Sequence, residues 1–330
     1  MKGAIIGSSG VGKSTLFKLL TGVESRGGKG YISGIGQAIL YDRRVEELSR
    51  IYNPRKTTHA TLEINDFDGF GRLWKEEKTG EIVQTLNQYD VLLHVTTGIR
   101  DFEEIEYRLL LSDLRVVEKR LEMLKKVGRE KDAITLFEKL KEHLESEKPI
   151  SSFPFSEQDK QYIQNFTFAT AIPRVVIYNI MEGQEPDTNF IEYLKKKGIL
   201  FNISNLLLEV EALSLSGDER RELIKEYGFE PAFERIIENI KKALNIIAFL
   251  TAGEKEVRAW IIRKGLTVKQ AAGKIHSDLE RGFVRAEVIH YDEFMKVGNM
   301  KRAREQGMVR LEGKDYIVQD GDIILIRSSI

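Results

Sequence analysis

The feature that most constrains the chain is an eight-residue stretch near its beginning, residues 7–14, which reads GSSGVGKS. It matches the pattern G-x-x-x-x-G-K-[ST] and lies between a short apolar run and a helical run, as a strand, a phosphate-binding loop and a helix require. Glycines let backbone N–H groups surround phosphate oxygens. We therefore predict that Lys13 reaches the β- and γ-phosphates and that Ser14 binds Mg²⁺, in preference to a glycine-rich turn without a ligand. The predicted nucleotide contacts of this loop are Ser9, Gly10, Val11, Gly12, Lys13, Ser14 and Thr15.

A carboxylate at the end of a neighbouring strand is the expected second part of such a site. The run 62–66 has the pattern of a strand and ends in Asp66, which predicts a magnesium site formed by Ser14 and Asp66. Asp66 also begins a D-x-x-G motif, in which the N–H of Gly69 can meet the γ-phosphate; a solvated turn is the alternative. The predicted catalytic residues are Lys13, Asp66 and Gly69. Phe70 follows, where many GTPases place a glutamine that orients the attacking water, and a hydrophobic side chain cannot do this.

A third motif, N-x-x-E, follows the apolar run 174–178. GTPases read guanine at this place with N-K-x-D, whose aspartate accepts two hydrogen bonds from the base. Here the lysine is absent and the acid is the longer Glu182, so guanine selectivity is not expected and adenine is the preferred base. A turn at a strand end is the alternative interpretation. The predicted base contacts are Asn179, Met181, Glu182 and Ser204.

Composition excludes several classes of protein. The 51 basic and 51 acidic side chains give a formal net charge of zero, so a nucleic acid or a membrane would have to bind to a local patch. The absence of cysteine excludes disulfides and thiolate metal sites. We find neither a targeting segment nor an apolar run of the roughly 20 residues that a membrane span needs. These observations predict a soluble, cytoplasmic protein.

The order of the apolar periods predicts an α/β fold with additions. Strand and helix signals alternate through the first hundred residues and resume later, which predicts a P-loop NTPase domain with a mostly parallel sheet. Between them the period becomes helical, with apolar residues spaced four, three, four, three, and Gly128 separates two helices. The last stretch changes to short strands and tight turns. We predict a nucleotide-binding domain at 1–100 with 169–246, a helical coiled-coil hairpin at 101–168, and a small α+β domain at 247–330.

The tail contains four distinctive stretches, which read VRAW at 257–260, QAAGKIH at 270–276, GFVRA at 282–286 and EGKDYIV at 312–318. They resemble the C-terminal TGS-type, ubiquitin-like module of the YchF family, the Obg-like ATPases. That family also places a helical domain inside its nucleotide-binding domain, carries N-x-x-E, and has a hydrophobic residue in place of the catalytic glutamine. The resemblance therefore covers nearly the whole chain. It implies ATP as the ligand with GTP as a poorer one, weak intrinsic hydrolysis, and association with the ribosome or with translation.

Three departures from the family pattern touch the phosphate site. Ser9 and Gly10 stand where proline and asparagine are expected. Residues 27–36 lack the threonine of the first switch segment, and the glycine-rich segment after D-x-x-G is shortened to residues 72–81. The last two departures affect the parts that sense the γ-phosphate, so the pattern supports binding better than turnover. We interpret the chain as a divergent member of the family.

Two local basic clusters are the candidate contacts for RNA or the ribosome, namely residues 195–197 and 296–304. Attraction to phosphates needs only a local patch, although such clusters are often solvated faces without a partner. His94 and His276 lack metal-ligand spacing, and we interpret both as structural. Two other functions stay open. One is a nucleotide-binding regulatory module without significant hydrolysis. The other is a P-loop small-molecule kinase, which accounts for neither the N-x-x-E motif nor the C-terminal module.

Overall fold

The computed structural model describes residues 1–25, 32–67, 85–128 and 130–329. The chain divides into two compact units. The first consists of Met1–Ala38 with Leu62–Ala243, and the second consists of Ile39–Thr61 with Leu244–Ile330. Two six-stranded sheets form the framework of the molecule.

The first sheet has the strand order β2-β4-β1-β5-β6-β7. Its strands are β1 (Lys2–Ile6), β2 (Ile32–Leu40), β4 (Ala60–Phe67), β5 (Val91–Thr96), β6 (Arg174–Asn179) and β7 (Leu200–Ser204). The pairs β1 with β4, β1 with β5, β5 with β6, and β6 with β7 are all parallel. Every residue of the central strand β5 is buried. The carboxyl ends of the parallel strands therefore meet at one edge, where α/β proteins bind their ligands.

Eight α-helices of the described residues belong to this unit. They are α1 (Lys13–Thr21), α3 (Ile99–Val127), α4 (Lys131–Glu145), the short α5 (Glu157–Ile163), α6 (Thr188–Lys196), α7 (Leu206–Ser214), α8 (Gly217–Tyr227) and α9 (Phe233–Ala243). The long α3 and α4 form the predicted hairpin. Gly128 ends α3 in the left-handed conformation, with φ of 70°, and its N–H donates to the Leu124 carbonyl at 2.9 Å. Val117, Leu121 and Phe137 are buried between the two helices.

The second sheet has the order β11-β10-β12-β8-β9-β3. Its strands are β3 (Lys56–Thr58), β8 (Ile246–Ala252), β9 (Glu256–Arg263), β10 (Phe283–His290), β11 (Arg310–Glu312) and β12 (Asp322–Ser328). The helices of this unit are α2 (Arg43–Tyr52), α10 (Val268–Ile275), α11 (Ser277–Arg281), α12 (Tyr291–Val297) and α13 (Met300–Glu305). Phe249, Val288 and Ile324 lie in a buried cluster with Val268 of α10. A helix packed on a mixed sheet is the α+β arrangement that the tail predicts.

The fold class is confirmed, but residues 39–61 group differently from the predicted domains. Strand β3 pairs in parallel with β9, and Lys56 lies opposite Glu256. The Arg44 guanidinium binds the carboxylates of Asp42 and Asp320 at 2.7 and 2.8 Å. These contacts place the segment with the C-terminal residues, whereas the helical hairpin groups with the nucleotide-binding part. Alternating strand and helix signals do not indicate which sheet a strand joins, so the sequence could not predict this exchange.

A buried carboxylate fixes the point at which the hairpin returns to the first unit. Asp113 of α3 is fully buried and accepts hydrogen bonds at 2.8 Å from the backbone N–H groups of Ala169 and Thr170. The hydroxyl of Thr170 donates to the same carboxylate and accepts from the N–H of Ile150. Burial raises the pKa of Asp113 to about 6. One side chain therefore satisfies three donors at the base of the hairpin.

We expect Asp113→Ala to lower the free energy of unfolding by about 2–3 kcal/mol, because it leaves buried donors without an acceptor. Glu122→Ala on the exposed face of the same helix is the matched control and should change stability by about 0.5 kcal/mol at most. Because the pKa of Asp113 is raised in the folded state, its contribution to stability is largest below pH 4 and falls as the pH rises through 6. Denaturant unfolding at pH 4 and pH 7 measures both effects; equal losses for Asp113→Ala and Glu122→Ala would contradict the assignment.

Candidate nucleotide-binding site

The loop between β1 and α1 has backbone angles that favour glycine at three positions. The φ values of Gly7, Gly10 and Gly12 are 145°, 83° and 104°. A Cβ on Gly7 would lie 2.3 Å from the Val95 carbonyl oxygen, and one on Gly12 would lie 2.6 Å from Nδ2 of Asn179. Gly10 has open space around it, so only its backbone angle constrains that position. The loop is thus pressed against the ends of β5 and β6, with its turn directed away from the sheet.

The lysine and the serine of the motif lie at the start of α1. Lys13 is buried, and its Nζ donates to the Ser8 carbonyl at 2.7 Å, which folds the ammonium group back over the loop. Ser14 is exposed, and its hydroxyl donates to Oδ2 of Asp66 at 2.8 Å. The positive end of the α1 backbone faces the same loop. Ser9 is exposed, Val11 is buried and Thr15 is half-buried.

Asp66 has the features of a group that acts through a metal ion. It is the second-last residue of β4, where it lies opposite Ile5 of β1, and no part of it is exposed. Among the residues that the structure describes, its buried Oδ1 has no hydrogen-bond partner, an arrangement that is rare because an unsatisfied buried oxygen is costly. Mg²⁺ takes oxygen ligands and keeps several waters. The Ser14 hydroxyl and the unsatisfied oxygen of Asp66 therefore fit a magnesium ion that takes its other ligands from phosphate and water.

Asn179 connects the phosphate-binding loop to the loop after β7. Its Nδ2 donates to the Val11 carbonyl at 2.9 Å, and its Oδ1 accepts from the N–H of Leu206 at 3.1 Å. The N–H of Ile180 donates to the Ser204 carbonyl at 3.0 Å, which joins the residue after β6 to the end of β7. The first residue of the N-x-x-E motif thus holds the walls of the site together with both ends of its amide.

The other residues of the predicted base site lie around this junction. Met181 is 58% exposed and Glu182 is exposed as well, so both are accessible to a ligand. Ser204 is buried at the end of β7. The structure brings the ends of β6 and β7 together. Gly69, Phe70 and residues 72–81 lie outside the described residues, and of the predicted first switch segment, 27–36, only the part from Ile32 onward is described.

Glu209 is a structural member of the site that the sequence did not indicate. It lies on α7, is 1% exposed, and accepts hydrogen bonds from the Ser204 hydroxyl at 3.3 Å and from the N–H of Ala232. Burial raises its pKa. An acid inside the run LLLEVEAL has no local pattern that predicts burial, because the backbone N–H that it accepts from, that of Ala232, is 23 residues further on. Glu209 therefore ties the end of β7 to the start of α9.

The two basic clusters lie at helix ends. Residues 195–197 are exposed at the end of α6, where the Lys197 ammonium lies 5.7 Å from the centre of the Tyr193 ring. The second cluster spans α12 and α13, and its Arg304 pairs with Glu287 at 2.8 Å. His94 is fully buried and stacks on Phe102.

Two models of known protein families match the chain. The family model YchF-GTPase_C, described as a protein of unknown function (DUF933), matches residues 246–329. A model described as ABC transporter matches residues 2–224, which begin at β1 and contain the phosphate-binding loop. No helix among the described residues is long and apolar enough to cross a membrane.

The relatives match from end to end. The ribosome-binding ATPase YchF of Bacillus subtilis is 33% identical, over 99% of this chain and 98% of its own length. The protein of the same name from Escherichia coli O157:H7 is 32% identical over 98% of each chain. The structure of the Schizosaccharomyces pombe YchF GTPase has a TM-score of 0.85 at 26% identity and covers 99% of this chain and 97% of that one. A GTP-binding protein from Pyrococcus horikoshii, with a TM-score of 0.61 and 17% identity, shares the fold.

Replacing Glu209 should test the link between β7 and α9. We expect Glu209→Ala to reduce the free energy of unfolding by about 2 kcal/mol, because the N–H of Ala232 loses its acceptor inside the protein. Glu209→Gln keeps an acceptor oxygen and should recover part of this loss. Glu211→Ala, on an exposed position of the same helix, is the matched control. Chemical denaturation of the three variants gives the comparison, and equal stability of Glu209→Ala and Glu211→Ala would contradict a supporting role for Glu209.

Proposed function

The chain belongs to the YchF family and is a P-loop NTPase, and we propose that it binds ATP in preference to GTP with Mg²⁺, hydrolyses it slowly, and works as a nucleotide-gated switch on the ribosome. The observation that carries this proposal is the arrangement of Lys13, Ser14 and Asp66 around a glycine loop whose backbone leaves room for phosphates. The nucleotide chemistry is assigned to residues 1–100 with 169–246.

The site acts by positioning and charge neutralisation. Backbone N–H groups from Ser9 to Thr15 face the phosphates, and Lys13 exchanges the Ser8 carbonyl for the β- and γ-phosphate oxygens. Ser14 and Asp66 hold Mg²⁺, which neutralises charge on the phosphates when it is bound. No side-chain base is assigned, because Phe70 stands where a glutamine would orient water. Gly69, through its N–H, is the proposed contact to the γ-phosphate. Slow turnover follows, because the water is held without a dedicated side chain.

The preference for adenine rests on the N-x-x-E motif. Ile180 stands at the lysine position of N-K-x-D and packs against a buried apolar cluster. The amide of Asn179 is engaged with backbone groups of Val11 and Leu206, so base contacts fall to Met181, Glu182 and the backbone near Ser204. Because glutamate is one methylene longer than aspartate, its carboxylate would lie at a different position relative to the N–H groups of guanine. The names of the bacterial relatives, which are ATPases, support the same preference.

The ribosome is the proposed partner, because the bacterial relatives are named ribosome-binding ATPases. The exposed lysines at 195–197 and the basic residues at 296–304 are the proposed contacts to ribosomal RNA phosphates. In the second cluster Arg304 is already paired with Glu287, so Lys301 and Arg302 are the better candidates. A cytoplasmic location follows from this partner.

The rival function is nucleotide binding without significant hydrolysis. It is supported by the absence of a threonine from residues 27–36 and by Phe70 at the glutamine position, since both positions normally act on the γ-phosphate or on water. A small-molecule kinase is less well supported, because the relatives that match end to end are ATPases and GTPases. A hydrolase and a kinase share the phosphate cradle. They differ in the acceptor of the phosphoryl group, which is water in the first and a small molecule in the second.

We expect Lys13→Ala to weaken Mg²⁺-ATP binding about 100-fold or more, which corresponds to about 2.7 kcal/mol, because it removes the only side-chain cation of the loop from two phosphates. Lys18→Ala on the same helix removes an exposed lysine that pairs with Glu24 and should leave the affinity within about twofold. Isothermal titration calorimetry on both variants gives the result. An unchanged affinity of Lys13→Ala would remove the basis of the proposed function.

Nucleotide choice and turnover are tested on the unmodified protein. We expect ATP to bind about tenfold or more tightly than GTP, a difference of about 1.4 kcal/mol, and single-turnover release of phosphate to be slow and to change when ribosomes are added. Release in the absence of any acceptor contradicts the kinase. Binding with no release, with and without ribosomes, supports the rival regulatory module instead.

A further inference from the structure

One edge of the first sheet borders a cavity that lies beside the proposed base contacts. Strand β7 is the last strand of that sheet, and the consecutive residues 201–205 line a cavity of about 650 Å³. One wall of the cavity is the loop after β6, at Glu182 and Glu185. The other wall consists of the connection between α8 and α9 and one side of α9, including Glu238 and Asn239. We call this cavity the edge groove.

The backbone of β7 directs hydrogen-bonding groups into the edge groove. The Ser204 carbonyl accepts from the N–H of Ile180 and so points toward β6. Because successive residues of a strand point their N–H and C=O groups to alternate sides, Phe201 and Ile203 direct theirs away from β6. The side chain of Asn239 shows this direction, since its Nδ2 donates to the Phe201 carbonyl at 3.1 Å. On the groove side, the Phe201 carbonyl therefore already accepts a hydrogen bond from an amide group.

The charged side chains around the edge groove are mainly acidic. Four acidic residues line it, and the two basic ones are Arg235 and Lys242. Arg235 pairs with Glu230 at 2.5 Å inside the groove, so these two charges cancel, and the remaining charged side chains are three glutamates and Lys242. Tyr227, another lining residue, has its pKa raised chiefly by the charge of Glu182. A ligand in the groove therefore meets a negative potential.

We propose that the edge groove binds an extended peptide segment of basic character, which adds as a further strand to β7. Strand addition to a sheet edge uses main-chain hydrogen bonds for affinity and alternate side chains for specificity. The five residues of β7 offer a length of about 17 Å, enough for a short extended segment. Lysine or arginine side chains of the segment would lie against Glu185 and Glu238.

The charge of the groove decides between the possible occupants. A single-stranded RNA would bring its phosphates to the acidic walls, where like charges repel. A second copy of this chain, pairing β7 with β7, would bring two acidic grooves together and meet the same repulsion. A basic peptide is the occupant that satisfies both the strand edge and the charge.

The experiment uses the full chain without nucleotide and a fluorescein-labelled nine-residue peptide of alternating arginine and valine. We expect a saturable rise in fluorescence anisotropy. A peptide of the same sequence with alternate backbone nitrogens methylated should bind about tenfold less tightly or worse, because it cannot pair with the strand. Hydrogen exchange at the amides of Phe201 and Ile203 should slow when the unmodified peptide is added. Equal binding of the methylated peptide, or no change in exchange at these amides, would overturn strand addition.

The location is tested with Glu185→Lys combined with Glu238→Lys. We expect this double variant to bind the peptide about tenfold less tightly or worse, while Glu222→Lys, at an exposed position of α8 outside the groove, stays within about twofold. Both variants should keep the ATP affinity of the unmodified chain, which shows that they are folded and separates this proposal from the proposed function. Unchanged peptide affinity in the double variant, or displacement of the peptide by oligouridylate, would overturn the proposal.

Discussion

The contact between the side chain of Asn179 and the phosphate-binding loop is the interaction on which the nucleotide site depends. The absence of a Cβ at Gly12 allows the amide to approach, since a methyl group there would lie 2.6 Å from Nδ2. The same amide joins the Val11 carbonyl to the N–H of Leu206. Loops that follow three different strands are thereby held at fixed spacing. A preorganised loop needs little rearrangement when phosphates bind, which is how such sites gain affinity.

Much of this arrangement could be predicted from the sequence, because its signals are local. The glycine spacing, the lysine and the serine lie within eight residues, and the acid at Asp66 follows one strand later. The structure then adds the hydrogen bond from Ser14 to Asp66 and the second carboxylate oxygen of Asp66, which has no hydrogen-bond partner within the described part of the chain. The role of Asn179 in joining the loops was not predicted, because its partners are 168 and 27 residues away. Glu209 was missed for the same reason: burial of an acid depends on partners that no local pattern shows.

The sequence predicted the types of element in the C-terminal unit better than it predicted which residues belong to that unit. The change to strands and turns in 247–330 was predicted from the periods of the sequence, and the fold class is confirmed. The strand Lys56–Thr58 has only three residues, and its pairing with β9 rests on a register that begins at Lys56 and Glu256. A strand of that length carries too little pattern to specify its partner. Ion pairs between residues far apart in the sequence, such as Arg44 with Asp320, also hold this unit together, and local sequence patterns do not reveal them.

The inclusion of residues 39–61 in the second unit has a consequence for how the gene can be divided. The polypeptide passes between the units at three places, after Ala38, after Thr61 and after Ala243. A fragment that starts at Leu244 therefore lacks the outer strand of its own sheet and the helix that packs beside it, while a fragment that ends at Ala243 carries that strand and helix without their framework. Recombination that exchanges the tail alone would separate pieces of one core. A boundary between Ala243 and Leu244 therefore does not coincide with the boundary of the second unit.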